Sequence, residues 1–137
     1  MGLMSGTSAD GVSLALVACK GRGLKVLAHD TYPYAAALRR RILAAPEAKA
    51  AELSALDFEL GRAFAKAAVR FLKAEGVSPK RLAAVGSHGQ TVVHRPRAAD
   101  PSTMQIGEAS FLAEALGVPV ACDFRPRDMA AGGEGAP

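Results

Sequence analysis

Polar residues that could bind a ligand are concentrated in three short clusters of the 137-residue sequence. In the first, residues 5–11 (SGTSADG), the glycines allow the backbone to approach an anion closely, and the hydroxyls of Thr7 and Ser8 can donate hydrogen bonds. Asp10 would lie beside bound phosphates only with a divalent cation such as magnesium between them. The cluster lacks the lysine of a P-loop. An ordinary hairpin turn rich in Gly, Ser and Asp accounts for the same residues, so this cluster alone does not identify a phosphate site.

The second cluster, residues 86–91 (GSHGQT), places His88 between glycines, where its ring can exchange hydrogen bonds with a sugar or a phosphate. In the third, residues 123–128 (DFRPRD), Asp123 can accept hydrogen bonds from a hydroxylated ligand, and Arg125 can bind a carboxylate or phosphate through two parallel bonds. The structural alternatives are a histidine with satisfied hydrogen bonds and an Asp–Arg ion pair at a strand end. The histidines and cysteines show no zinc-binding spacing.

The first half of the chain contains the elements that would carry the first cluster. Apolar runs at residues 2–4, 14–19 and 24–28 are separated by turn-forming segments, which predicts an antiparallel meander of three strands. Residues 38–43 have helical spacing and must stop before Pro46. From about residue 50 to 75, apolar residues recur at i, i+3, i+4 and i+7, which predicts a long amphipathic helix closed by Gly76.

Strands and helices alternate in the second half, which predicts an α/β fold with ligand sites at strand ends. We expect a buried strand at residues 82–85 leading into the second cluster, an extended run at 92–93, a polar loop at 95–102 and a strand at 104–106. A helix at 108–116 capped by Gly117 and a buried strand at 118–122 follow. That strand ends in the third cluster, and the glycine-rich segment at residues 130–137 is predicted to be a loop.

Composition restricts the classes of protein and partner. Half of the residues are apolar and 22% are charged, which is typical of one compact domain. The net charge of +4 permits an anionic partner, but aromatics make up only 5% of the chain, so we expect a small phosphorylated ligand rather than a nucleic acid. Three consecutive arginines from Arg39 to Arg41 are interpreted as a solvated helix face. Cys19 and Cys122, each in an apolar run, are predicted to be buried, reduced thiols. No segment has the length of a membrane span or the pattern of a secretory signal, so we expect a soluble, cytoplasmic protein.

Taken together, the strings GLMSGTSADG, GSHGQTVVHRP, QIGE and CDFRPRDMAAGGEGAP have the order and approximate spacing of one family. The chain resembles the N-terminal part of the anhydro-N-acetylmuramic acid kinases. This resemblance implies a ribonuclease-H-like, actin-type ATPase lobe: an α/β fold with a mixed sheet and flanking helices. Residues 1–137 would form a single domain, the N-terminal lobe of a two-lobed kinase that closes on ATP and magnesium.

The resemblance also implies a reaction and a set of site residues. The family opens the 1,6-anhydro bond of anhydro-N-acetylmuramic acid with water and phosphorylates the freed O6 from ATP, during recycling of cell-wall peptidoglycan. The implied ATP-binding stretch consists of Gly6, Thr7, Ser8, Ala9, Asp10, Gly11, Val12 and Ser13, with Asp10 facing magnesium. The expected sugar-binding residues are His88, Gln90, Asp123 and Arg125, where Arg125 would bind the lactyl carboxylate and Asp123 the hydroxyls.

The chain departs from the family pattern at two positions and lacks one segment. Ser13 stands where the family usually has the second aspartate of DGxD, which predicts weaker magnesium binding. Glu134 stands where glutamine is common and adds a negative charge near the expected cleft. The carboxylate that activates water belongs to a glycine-rich segment of the second lobe, so no catalytic base is assigned here. A non-catalytic sugar- or nucleotide-binding module derived from the kinase is the alternative, and a homodimer is left open.

Overall fold

The N-terminal quarter of the chain forms the predicted antiparallel meander. In the computed structural model, which describes residues 1–136, strand β1 (Gly2–Ser5) pairs with β2 (Gly11–Lys20), and β2 pairs with β3 (Gly23–Pro33). Leu14 lies opposite Leu3 on one side and Asp30 on the other. The connection between β1 and β2 spans residues 6–10, which places most of the first polar cluster at one end of the sheet.

The later strands extend this meander into one mixed sheet. Its order is β3-β2-β1-β4-β5, with β4 (Val85–Arg95) parallel to β1 and antiparallel to β5 (Ser102–Ile106). A short strand, β6 (Val120–Ala121), pairs with β4 in parallel. The predicted α/β class with a mixed sheet and flanking helices is confirmed, and it agrees with an actin-type ATPase lobe.

Helix α2 (Ala50–Ala74) contributes more buried residues to the hydrophobic core than any other element. Its predicted apolar stripe is buried: Leu60, Phe64 and Phe71 are fully inaccessible to solvent. Burying each of these side chains stabilises the fold by about 1.5–3 kcal/mol. The helix begins where Glu52 accepts a hydrogen bond from the backbone N–H of Lys49 at 3.1 Å. It is followed by Gly76 at a φ of +64°, so the predicted glycine cap is confirmed.

Three other helices frame the sheet. Helix α1 (Ala36–Ala44) ends as predicted before Pro46, which lies in a 3₁₀ turn at Ala45–Glu47. A second 3₁₀ turn covers Pro79–Arg81. Helix α3 (Ser110–Leu116) is capped by Gly117 at a φ of +64°, as the sequence predicts. Helix α4 (Phe124–Ala130) was not predicted, because its sequence contains a proline and three charged residues and has no apolar stripe.

Several expectations about the second half are wrong. Strand β4 runs without interruption through GSHGQT, whereas Leu82 and the two alanines after it precede the strand, so the second cluster lies within a strand rather than after one. The predicted buried strand at 118–122 is only two residues long and is not buried.

Cys19 and Cys122 are free thiols, as expected, but both are exposed. Cys19 lies at the exposed end of β2, where Ala18 and Lys20 are exposed as well, and Cys122 follows the exposed Ala121 at the end of β6. Within residues 1–136 we find no helix with the length and apolarity needed to span a bilayer.

Candidate functional site

The loop between β1 and β2 has a compact, defined conformation. The backbone N–H of Ala9 donates to the carbonyl of Gly6 at 3.0 Å, and Ala9 itself is fully buried with a φ of +51°. A non-glycine residue in this left-handed region is strained, so the surrounding structure must hold it there. Thr7, Ser8 and Asp10 project from the loop with exposed side chains. Their hydroxyls and carboxylate are therefore accessible to a ligand.

The end of the loop is fixed by the strands that follow it. Gly11 packs so closely on the end of β3 that a Cβ atom there would overlap the carbonyl of Tyr32. Val12 is buried in the core, and the Ser13 hydroxyl lies 2.9 Å from that of Thr31 on β3. Gly11, Val12 and Ser13 are the last three of the eight predicted ATP-binding residues. Gly11 and Val12 can therefore offer a ligand mainly backbone groups, and the Ser13 hydroxyl already has a partner.

Helix α1 contributes a contact to the loop that the sequence did not indicate. The Arg39 guanidinium donates to the carbonyl of Ser8 at 3.0 Å and lies 3.2 Å from the Asp10 carboxylate. Arg41 of the same arginine run pairs instead with Glu59 on α2. The interpretation of this run as a purely solvated face is wrong for Arg39. Because residues 39–41 are all arginine, the sequence does not indicate which of them contacts the loop.

A buried hydrogen bond joins the loop to strand β4. The Ser5 hydroxyl, at the end of β1, donates to the Gln90 side-chain oxygen at 2.5 Å, and the two residues are 2% and 1% exposed. Gln90 also donates to the carbonyl of Thr91 at 3.1 Å. Its side chain thus lies at the base of the loop, since the Ser5 hydroxyl that it contacts is also 3.1 Å from the Gly11 carbonyl at the far end of the loop. The Gln90 amide is inaccessible to solvent in this conformation. A direct contact between Gln90 and a sugar therefore stays a prediction.

His88, two residues earlier on β4, contacts Arg125 at the start of helix α4. The Arg125 Nε–H donates to His88 Nε2 at 2.8 Å. Because a guanidinium cannot accept a hydrogen bond, Nε2 must be unprotonated here, and the proton is on Nδ1, which lies 3.2 Å from the Gly89 carbonyl. His88 is therefore a neutral, oriented ring that holds Arg125 in place. The structural alternative of an Asp–Arg ion pair is not among the salt bridges of the described residues, and Arg125 pairs with the histidine instead.

Beside this pair lies a cleft of about 220 Å³. Its wall includes His88 and the three carboxylates of Asp57, Glu108 and Asp123. No lysine or arginine is among the described residues that line it. Two of them are oriented by hydrogen bonds. Asp57 accepts from the Gly107 N–H at 2.6 Å, and Ser110 donates to Glu108 through its hydroxyl and its N–H, which lowers the pKa of Glu108. Such a wall suits an uncharged ligand rich in hydroxyl or amide donors.

Asp123 occupies the junction between β6 and α4, at a φ of +56°. It is exposed at the rim of the cleft, and its Oδ2 lies 3.3 Å from the Cys122 thiol. Partial removal of the Cys122 thiol from water, followed by the neighbouring Asp123 carboxylate, raises the pKa of this thiol. Of the four predicted sugar-side residues, the structure brings together His88, Asp123 and Arg125, whereas Gln90 is separated from them by its burial at the base of the loop.

The extra charge of Glu134 is already paired. Arg97, in the loop after β4, donates to both of its carboxylate oxygens, at 3.0 and 2.8 Å, and this contact lowers the pKa of Glu134. The same segment is held to helix α4, because the Gly135 N–H donates to the Asp128 carboxylate at 2.8 Å. Glu134 therefore adds less negative charge to its surroundings than the sequence alone suggests. Both side chains are exposed, so salt weakens the pair.

Comparison with known proteins identifies the family. The family model described as anhydro-N-acetylmuramic acid kinase matches residues 1–137. The chain belongs to this family. It is 41% identical over 140 residues to the anhydro-N-acetylmuramic acid kinase of Vibrio parahaemolyticus, 43% identical over 150 residues to that of Caldanaerobacter subterraneus and 44% identical over 144 residues to that of Xanthomonas campestris. Each comparison covers all of this chain but only 38% of the relative, so the chain spans well under half the length of the curated proteins it matches.

Membership of a kinase family makes ATP the expected phosphoryl donor and raises the question of a metal site. No group of three or more His, Cys, Asp or Glu side chains converges on a metal-sized position among residues 1–136. Magnesium in phosphoryl-transfer enzymes needs only one or two protein carboxylates, because phosphates and water complete its shell. Asp10, which has 68% of its side chain exposed and shares its loop with Thr7 and Ser8, fits this limited requirement.

Proposed function

We propose that this chain is the N-terminal lobe of an ATP-dependent kinase acting on 1,6-anhydro-N-acetylmuramic acid in peptidoglycan recycling in the cytoplasm. In the reaction, water adds at C1 as the bond from C1 to O6 breaks, O6 attacks the γ-phosphorus of ATP, and ADP leaves. The product is N-acetylmuramic acid 6-phosphate. The observation that carries the proposal is the hydrogen bond between Ser5 and Gln90, which ties the candidate phosphate loop to the strand that bears His88.

The nucleotide side of the site is the loop between β1 and β2. Thr7 and Ser8 would bind the terminal phosphates with their hydroxyls and backbone N–H groups, and Asp10 would hold magnesium. Magnesium neutralises charge on the β- and γ-phosphates when bound. The chain's own contribution is to position these groups: the left-handed turn at Ala9 and the close packing of Gly11 fix the loop before any ligand arrives.

The sugar side is the acidic cleft with His88, Asp123 and Arg125. The wall of carboxylates would accept hydrogen bonds from the hydroxyl and amide groups of the sugar, with Asp123 at the rim. The lactyl carboxylate would avoid this wall and bind Arg125, whose Nε is occupied by His88 while its two terminal nitrogens make no hydrogen bond within the described residues. Gln90 would support the site from beneath.

The proposal leaves the base that activates water to another part of the protein. No residue of the three clusters is assigned that task, and the family resemblance implies that a second lobe would supply the base. With ATP, magnesium and the anhydro sugar, we expect this chain to bind both ligands in calorimetry and to release no ADP above background. Adding the remaining part of the Vibrio relative should restore ADP release, and Arg125→Met should reduce that release.

The second candidate is a non-catalytic sugar- or nucleotide-binding module derived from the kinase. It predicts saturable binding of sugar or ATP but no ADP release when the remaining part of a relative is supplied. Substrate-dependent ADP release by this chain alone would contradict both candidates, because it requires a complete site here. Light scattering on the same samples tests the homodimer left open by the sequence.

A further inference from the structure

Arg39 of helix α1 contacts both the backbone and a side chain of the candidate phosphate loop. We propose that Arg39 is a positioning residue of this loop, which it fixes to α1, and that its charge offsets Asp10 when no metal is bound. This inference rests on the proposed nucleotide site. It adds a residue outside the predicted 6–13 stretch, and it predicts how ATP binding should depend on magnesium.

Three contacts tie the loop to the start of α1. The Arg39 guanidinium donates to the Ser8 carbonyl at 3.0 Å and pairs with the Asp10 carboxylate at 3.2 Å. The Asp10 carbonyl accepts from the backbone N–H of Tyr34, two residues before the helix, at 3.1 Å. Between these anchored residues lies Ala9 in its strained left-handed conformation. The contacts flank that residue, so they oppose relaxation of the turn to an ordinary conformation.

An exposed ion pair alone contributes little to stability, and the side chains of Arg39 and Asp10 are 45% and 68% exposed. The bond to the Ser8 carbonyl distinguishes this contact from an ordinary surface pair, because it fixes the backbone where the phosphates would bind. The neighbouring arginines do not share this role. Arg41 faces Glu59, and Arg40 has no side-chain hydrogen bond or ion pair within the described residues.

The charges predict how ATP binding responds to magnesium. Without metal, the Asp10 carboxylate repels the phosphates, and Arg39 offsets that repulsion. With magnesium bound, the metal neutralises Asp10, and the arginine matters less. Removing Arg39 should therefore weaken metal-free ATP binding about fivefold, which corresponds to the upper range for exposed charge pairs, and weaken binding with magnesium less than twofold.

The test compares Arg39→Met with Arg40→Met, which removes the same charge from the next position of the helix. Hydrogen exchange of the amides at residues 6–11 is measured first, without ligand. We expect faster exchange in Arg39→Met only. ATP affinity is then measured by calorimetry in EDTA and in magnesium. The double variant Asp10→Asn/Arg39→Met should bring the metal-free affinity back to within about twofold of the original protein.

Equal exchange in the two arginine variants would overturn the positioning role. Equal loss of affinity with and without magnesium, or no recovery in the double variant, would overturn the electrostatic role. If the unmodified chain binds no ATP under either condition, the proposed nucleotide site fails, and the exchange comparison alone then decides whether Arg39 fixes the loop.

Discussion

The buried hydrogen bond between Ser5 and Gln90 allows a sharp test of how the loop is supported. We consider Ser5→Ala, which removes the hydroxyl that donates to the Gln90 oxygen at 2.5 Å and also lies 3.1 Å from the Gly11 carbonyl oxygen. Alanine fits the position without a clash, because it only deletes one atom. The Gln90 oxygen is then left in a site that is 1% exposed, where water cannot readily replace the lost donor.

The expected cost follows from that burial. Leaving a buried acceptor without its partner destabilises a protein by about 1–3 kcal/mol. Ser87→Ala is the matched control, because Ser87 is also a serine with 2% exposure on a central strand of the same sheet. Its hydroxyl has no hydrogen-bond partner within residues 1–136. Removing an unsatisfied buried hydroxyl should leave stability unchanged or raise it by up to about 1 kcal/mol.

The assay is equilibrium unfolding in urea, followed by circular dichroism. With a slope of about 2 kcal/mol/M, a loss of 2 kcal/mol lowers the midpoint by about 1 M in Ser5→Ala. The midpoint of Ser87→Ala should stay within about 0.3 M of the original or rise. Equal losses in the two variants would refute the reasoning, because the cost would then come from serine deletion in the sheet rather than from the bond to Gln90.

Three further predictions concern the core, the cleft and alkaline stability. Gly107→Ala should prevent cooperative unfolding or lower its midpoint sharply, because the added methyl would overlap the ring of Phe64 at a position with a φ of +116°. Nitrogen NMR of the imidazole should find His88 protonated on Nδ1, and Arg125→Met should abolish the preference for that tautomer. Burial raises the pKa of Tyr34 to about 12, so its contribution to stability is complete below about pH 10 and is lost as the pH rises through 12; phenolate absorbance measured with urea unfolding checks this.

Each of these predictions has a control. Gly2→Ala adds the same methyl where no atom lies within 4 Å, so its unfolding midpoint should hardly change. An Nδ1 preference that survives in Arg125→Met would show that the arginine does not set the tautomer. Tyr34→Phe removes the titrating phenol, and an unchanged loss of stability between pH 10 and 12 in that variant would assign the loss to other groups.

The order of most elements could be predicted because their signals are local. The meander follows from apolar runs separated by turn residues, and helix α2 follows from the spacing of Leu60, Phe64 and Phe71. The elements of the second half have weaker local signals in the sequence. Strand β4 contains glycines and polar residues, but its pairing with β1 and β5 holds them in an extended conformation. Helix α4 contains no apolar repeat, and its presence depends on tertiary surroundings that propensity does not describe.

For the candidate site, too, some features follow from the sequence and others only from the tertiary structure. The sequence by itself determined the family and the identity of the polar clusters, because residue types in a fixed order carry that information. The tertiary structure alone decided which of those side chains can act: it buried Gln90 at the base of the loop, turned Arg39 rather than Arg40 toward Asp10, and placed Arg125 against His88. These contacts join residues up to 85 positions apart, and neither spacing nor composition specifies which distant groups meet.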